Sequence, residues 1–185
     1  MTTAIYTVGR FQPPTIGHAA LIETLIKIAN QKNGHAFVFV SKTQDTTTNL
    51  LTCKTKVDFL RKMFPVGVTF INTEEIPFGG PLLAREYLKT IGYTDFTFLI
   101  GEDREDIFGP EARIWGDDPP TIFSIPRQAK NKKLNDLSPV NMSGTKARKY
   151  AKLQDRERFQ QAVTYGNVTE ADADLLFDLL TQKLL

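Results

Sequence analysis

The chain of 185 residues carries 23 Lys plus Arg against 21 Asp plus Glu and is 41% hydrophobic, which predicts about one globular domain and excludes disorder. A formal charge of +2 argues against a global polyanion binder, and no apolar run reaches the roughly 18 residues of a membrane span. One cysteine, Cys53, excludes an internal disulfide, and with only His18 and His35 beside it no Cys/His zinc site is expected, so the composition predicts a soluble, cytoplasmic protein.

Ala4–Val8 reads as a short buried strand, followed by Gly9-Arg10-Phe11-Gln12-Pro13-Pro14, whose prolines continue neither a ladder nor a helix. From Thr15 the spacing turns helical, with Leu21, Ile22, Leu25, Ile26 and Ile28 on one apolar face and a stop at Asn33-Gly34. Ala36–Val40 is a second strand, aromatic and β-branched without alternation, as expected when both faces are covered. Ser41–Thr52 is a polar loop. Val57, Phe59, Leu60, Met63 and Phe64 suit a helix ending before Pro65, and Val68–Ile71 a third strand. Residues 81–91 place Leu82, Leu83, Tyr87, Leu88 and Ile91 at helical spacing before Gly92; Phe96–Ile100 and Thr121–Ile125 are the fourth and fifth strands. After Ser143 the pattern is helical to the end, with breaks near Leu153-Gln154-Asp155 and Gly166-Asn167.

Strands alternating with helices predict an α/β protein: a Rossmann-like, doubly wound parallel sheet of about five strands with helices on both faces. Residues 1–150 are expected to form this domain and 151–185 a helical extension packed on it. That terminal segment, with Leu175, Leu176, Phe177, Leu179, Leu180, Leu184 and Leu185, suits packing on its own core or on a second copy in a homo-oligomer. Ligands of such sheets bind at the carboxyl ends of the strands, which directs attention to residues 9–17.

At Gly9–His18 the glycines permit close backbone approach, and free N–H groups at a helix start favour an anion. Arg10 adds a charge-assisted contact, Thr15 a hydroxyl and His18 an imidazole within reach of the same anion. A proline-rich turn capped by Thr15 over a buried His18 is the alternative, and it suits a lone histidine better than it suits the whole string. It is neither a dinucleotide G-x-G-x-x-G nor a P-loop. Local charge is uneven: residues 127–152 hold eight cations (Arg127, Lys130, Lys132, Lys133, Lys146, Arg148, Lys149, Lys152) against Asp136, while 95–118 is net acidic. The basic cluster leads into a helix start at Ser143, a good N-cap, with Thr145, Lys146 and Arg148 in the first turns, where a β- or γ-phosphate would sit. An ordinary capped helix with a basic surface would look the same.

Thr15-Ile16-Gly17-His18 resembles the T/H-x-G-H signature of the nucleotidyltransferase superfamily, and Ser143-Gly144-Thr145-Lys146-Ala147-Arg148 matches its second signature, S-x-T-x-x-R. Gly9–His18 is similar to archaeal-type nicotinamide mononucleotide adenylyltransferases. Ser41-Lys42-Thr43-Gln44-Asp45 and Lys62–Pro65 resemble virus-encoded members, whose setting would be a host cytoplasm. Many members carry histidine where this chain has Thr15; phosphopantetheine adenylyltransferases carry threonine.

The resemblance implies transfer of a nucleoside monophosphate, AMP from ATP first, to a small phosphorylated acceptor, nicotinamide mononucleotide first, with release of pyrophosphate. Cytidylyl transfer from CTP to a phosphoalcohol, phosphopantetheine adenylylation, and a non-catalytic nucleotide- or RNA-binding role are the alternatives; nucleic acid and membrane are not the expected partners. His18, Thr15 and Arg148 are the implied catalytic residues. Gly9, Arg10, Phe11, Gln12, Gly17, Gly101, Asp103, Ser143, Gly144, Thr145 and Lys146 are the implied nucleotide-binding residues, and Lys42 is implied for the acceptor phosphate. Mg²⁺ is expected on the nucleotide phosphates, with no dedicated protein ligands.

Overall fold

A computed structural model describes residues 2–126 and 136–184. Five parallel strands form its sheet: β1 (Thr3–Gly9), β2 (His35–Val40), β3 (Thr69–Asn72), β4 (Asp95–Gly101) and β5 (Thr121–Ile125), in the order β3-β2-β1-β4-β5. The chain runs outward from β1 to β3, then returns to lay β4 on the other side of β1. The order therefore reverses between β1 and β4, and the crevice for a ligand opens at their carboxyl ends.

The strands lack polar alternation because both faces are covered. Ile5, Val38, Val40 and Leu99 face a core built with α1 (Ile16–Gln31) and α2 (Cys53–Met63). Tyr6, Phe37, Phe39, Phe98 and Ile100 face the other side, under α3 (Pro81–Thr90) and the β4–β5 connection. The three central strands thus turn aliphatic side chains to one layer and mostly aromatic ones to the other, where Tyr6 stacks on Phe98 at 4.9 Å and Trp115 meets Phe98 edge-on at 5.6 Å. The β4–β5 connection contains the short helix α4 (Glu105–Phe108) and two 3₁₀ turns, none of which the apolar spacing reveals.

Helix faces differ in detail from the predicted ones. In α1 the buried residues are Ala19, Ile22, Leu25, Ile28 and Ala29, with Leu21 and Ile26 at the margin. In α3 it is Ala84, Arg85 and Leu88 that turn inward, and Leu83 and Ile91 are exposed. Each residue turns the helix by about 100°, so the neighbour of a buried position already stands at the margin or beyond.

Beyond Ser143 lie α5 (Gly144–Lys152), α6 (Arg156–Val163) and α7 (Glu170–Leu184), broken where the sequence predicts. Tyr150, Phe159, Val163, Leu176, Phe177 and Leu180 join the same buried cluster as Ile22, Leu25 and Leu60; Leu175 is exposed, and Leu185 lies outside the described residues. The α6–α7 turn is seated on the end of α2: Asn167 N–H donates to the Lys62 carbonyl at 2.9 Å. Gly166 has φ +60°, and a Cβ there would collide with the Met63 carbonyl. No helix among the described residues is long and apolar enough to cross a membrane.

Phe159 is fully buried in this shared cluster. Phe159→Ala should destabilise the whole protein by about 3–5 kcal/mol. Trp115 fluorescence and helical circular dichroism should then report one common transition in urea; a transition seen in the dichroism alone would mean that the C-terminal helices unfold separately.

Candidate active site

β1 ends at Gly9, whose lack of a side chain leaves room for the Phe11 ring. Phe11 takes a left-handed backbone (φ 48°), and its buried ring lies 5.0 Å from the imidazole of His18. The Gln12–Pro13 peptide is cis. Thr15 is the N-cap of α1, and its N–H donates to His18 Nδ1 at 3.1 Å in a capping box. Its Oγ1 lies 2.9 Å from the same nitrogen.

The second signature meets the first directly. A Cβ on Gly17 would run into the Met142 carbonyl, and one on Gly144 into the Gln12 carbonyl. Only hydrogen at both positions lets the two backbones touch. Arg148, one turn into α5, donates through Nη1 to that same Gln12 carbonyl and through Nη2 to Thr145 Oγ1 at 3.3 Å. Ser143 caps α5 by accepting from Lys146 N–H at 3.2 Å.

Arg148 is partly buried, and its pKa is drawn down by that burial first and by the nearby Arg10 guanidinium next, with Asp45 opposing. Two guanidiniums near a helix start, with exposed Ser143 and Thr145 hydroxyls at that helix's N-terminus, are groups suited to an anion. Lys146 is turned away from them, its ammonium held by the Asp136 carbonyl.

The neighbouring strand supplies the flank. Gly9 pairs with Val40, and Ser41 N–H donates to the Gly9 carbonyl at 2.8 Å, so exposed Lys42 stands just beyond the same sheet edge. On the other side Tyr6 pairs with Phe98, which brings Gly101 level with Gly9; Asp103 follows in an exposed turn.

Several supporting residues escape a reading of the sequence. Lys56 is fully buried and donates to the Ser41 carbonyl at 2.5 Å; burial lowers its pKa. Cys53 and Thr73 donate to the Val40 carbonyl at 2.9 and 2.8 Å, and Thr73 Oγ1 accepts from Lys42 N–H. The one visible sign is a lysine on an apolar stripe, Cys53, Lys56, Val57 and Leu60. Gln12 is buried, and its amide bonds both backbone groups of Leu51, donating at 2.8 Å and accepting at 3.0 Å. Asp45 gathers the N–H groups of Thr47, Thr48 and Asn49 on its carboxylate, which these bonds hold well below the usual carboxylate range.

The structure thus joins Gly9, Arg10, Phe11, Gln12, Thr15, Gly17 and His18 to Ser143, Gly144, Thr145 and Arg148, and gives Phe11 and Gln12 internal partners. Of the eight basic residues between 127 and 152, Arg127, Lys130, Lys132 and Lys133 lie outside the described residues. Among the described residues no group of three His, Cys, Asp or Glu could hold a metal ion.

A parallel sheet reversing at β1, with helices on both faces, defines a Rossmann-like α/β protein. The sequence model of the cytidylyltransferase-like family matches residues 6–112, more than half of the chain. The chain belongs to this family, within the nucleotidyltransferase superfamily. The second signature lies beyond the matched span.

Two similar folds come from different organisms. A Vibrio parahaemolyticus protein assigned as a nicotinate-nucleotide adenylyltransferase has a TM-score of 0.63 at 22% identity, over 95% of this chain and 99% of that one. The nicotinic acid mononucleotide adenylyltransferase of Plasmodium falciparum complexed with APC has a TM-score of 0.62 at 17% identity, over 100% and 97%. The latter protein complexed with NaAD gives 0.59 at 15% identity, over 100% and 97%. Among curated proteins no sequence matches the chain.

Gly17→Ala or Gly144→Ala should separate the two signatures and destabilise the protein by about 1–3 kcal/mol, read from urea denaturation. Either variant with unchanged stability would show that the backbones need not touch.

Proposed function

We propose that the protein transfers a nucleoside monophosphate, AMP from ATP in the first instance, to a small phosphorylated acceptor. The observation that carries this reading is the meeting of both signatures around Gln12, whose carbonyl takes the Arg148 guanidinium. In the reaction an acceptor phosphate oxygen attacks the α-phosphorus in line. The bond from that phosphorus to the bridging oxygen breaks, and pyrophosphate leaves with the electron pair. No covalent help from the protein is required; positioning and charge stabilisation suffice.

His18 serves the α-phosphate, with Thr15 beside it. Arg148, Arg10, Ser143 and Thr145 hold the departing pyrophosphate, where charge accumulates. The second signature's Lys146, bound to the Asp136 carbonyl, is a lesser contributor. Lys42 meets the acceptor phosphate, and Gly101 with Asp103 borders the ribose and base. Mg²⁺ travels on the triphosphate: the surrounding side chains are cationic and hydroxylic, and the Asp45 carboxylate is committed to its own loop.

Nicotinamide mononucleotide is the first acceptor to test, with nicotinic acid mononucleotide beside it, because the neighbours that share the fold are named for the nicotinic acid form. Cytidylyl transfer from CTP to a phosphoalcohol is the second reading, favoured by the matched family. The test is pyrophosphate release with Mg²⁺ from ATP and CTP separately, against a panel of phosphorylated acceptors. Release from ATP with nicotinamide mononucleotide supports the first reading, and release from CTP alone replaces it with the second. His18→Ala should lose about 10²–10³ in turnover while staying folded by circular dichroism; near-normal turnover would remove the role given to His18.

A further inference from the structure

Among the described residues Lys56 is the only lysine buried from solvent, at 0% exposure. It lies on the inner stripe of α2 with Cys53, Val57 and Leu60. A methionine would fill that stripe as well, because the stem of lysine is apolar and only its amine is costly to bury. The amine is committed to one backbone group: Nζ donates to the Ser41 carbonyl at 2.5 Å, a bond that a charged or a neutral amine can make. That carbonyl belongs to the link between β2 and Lys42, and the backbone groups on either side of it are paired too. The Val40 carbonyl accepts from Cys53 Sγ at 2.9 Å and from Thr73 Oγ1 at 2.8 Å. Ser41 N–H donates to the Gly9 carbonyl, and Lys42 N–H to Thr73 Oγ1, both at 2.8 Å. The other end of the β2–α2 connection closes on the same crevice, since Leu51, just before α2, is bound through both its backbone groups by the Gln12 amide. A ring of contacts thus runs from Gly9 through Ser41, Lys56 and the start of α2 to Leu51, and back to Gln12. Lys42 extends from this ring with its N–H bonded and its side chain exposed.

We propose that Lys56 is a positioning residue for the acceptor: by holding the Ser41 carbonyl it fixes the Lys42 backbone beside Gly9. The proposal rests on the reading that Lys42 meets the acceptor phosphate. Lys56 itself touches no substrate. Without its amine the Ser41 carbonyl loses its donor from α2, and the link that carries Lys42 is free to turn away from Gly9. The contact of Arg148 with the Gln12 carbonyl is made separately, from α5. Loss of the Lys56 amine therefore weakens the hold on the acceptor and leaves that on ATP in place.

Amide hydrogen exchange reads the anchor without turnover. In the wild-type protein the Ser41 and Lys42 N–H groups should exchange as slowly as those of β2. Lys56→Met keeps the stem and removes the amine. It should speed exchange at Ser41 and Lys42 by about 10- to 100-fold while the amides of β4 stay unmoved. In pyrophosphate release from ATP with nicotinamide mononucleotide, it should raise the KM for the acceptor by about 10-fold, with kcat and the KM for ATP little changed. Thr73→Val removes the hydroxyl that accepts from Lys42 N–H and should give the same split, which Thr73→Ser should not show. Equal acceleration at all amides would mark Lys56 as a merely structural residue and overturn the proposal. So would an acceptor KM that Lys42→Ala raises and Lys56→Met does not. Rapid exchange at Ser41 and Lys42 in the wild type would overturn it as well, and this measurement decides together with the Thr73 pair if Lys56→Met does not fold. An acceptor KM that Lys42→Ala leaves unmoved, or a protein without transfer activity, would instead count against the reading of Lys42 or of the reaction, and exchange would still decide the anchor.

Discussion

The contact between the Gln12 carbonyl and the start of α5 holds the site together. It joins segments more than a hundred residues apart, and it exists because Gly17 and Gly144 lack side chains where the two backbones meet. Arg148 is set by the same contact: one arm of its guanidinium is spent on Gln12, while the rest of the group stands close to Arg10. Two like charges so placed repel in the unliganded protein. On the proposed reading, a bound polyphosphate would convert that repulsion into attraction for both.

Beneath this contact lies a layer of buried polar groups that serve the backbone. The carbonyls of Val40 and Ser41, at the end of β2, are satisfied by Cys53, Thr73 and Lys56. The Gln12 amide bonds both backbone groups of Leu51, and from outside this layer the exposed Lys183 of α7 donates to the Leu50 carbonyl at 2.8 Å. Burying such groups is unfavourable unless they are paired, and each here is paired with a loop that flanks the crevice. The C-terminal helices thus reach the site twice, through Arg148 and through Lys183.

Much of the architecture was legible in the chain. Thr121–Ile125 is the fifth strand residue for residue, and the breaks after α5 and α6 fall where Gln154 and Gly166 stand. Continuous apolar runs announced strands covered on both sides, and helical spacing announced their partners. The turns between β4 and β5 stayed hidden because they are too short to show a period, although they bury Trp115. Leu83 and Ile91 were misjudged in α3 for a related reason: spacing marks an apolar stripe but not its edges.

The site divides in the same way. Both signatures and their order along the chain are local patterns, and the sequence alone determined them, along with the sheet type and the loop after β1 as the place for chemistry. It could not show that Gly17 and Gly144 face carbonyls, that Gln12 looks inward to Leu51, or that Thr15 is buried against His18. Those facts depend on where distant backbone segments come to rest. Local propensity carries no information about such approaches; only the sheet order and the packing of α5 against the first loop decide them.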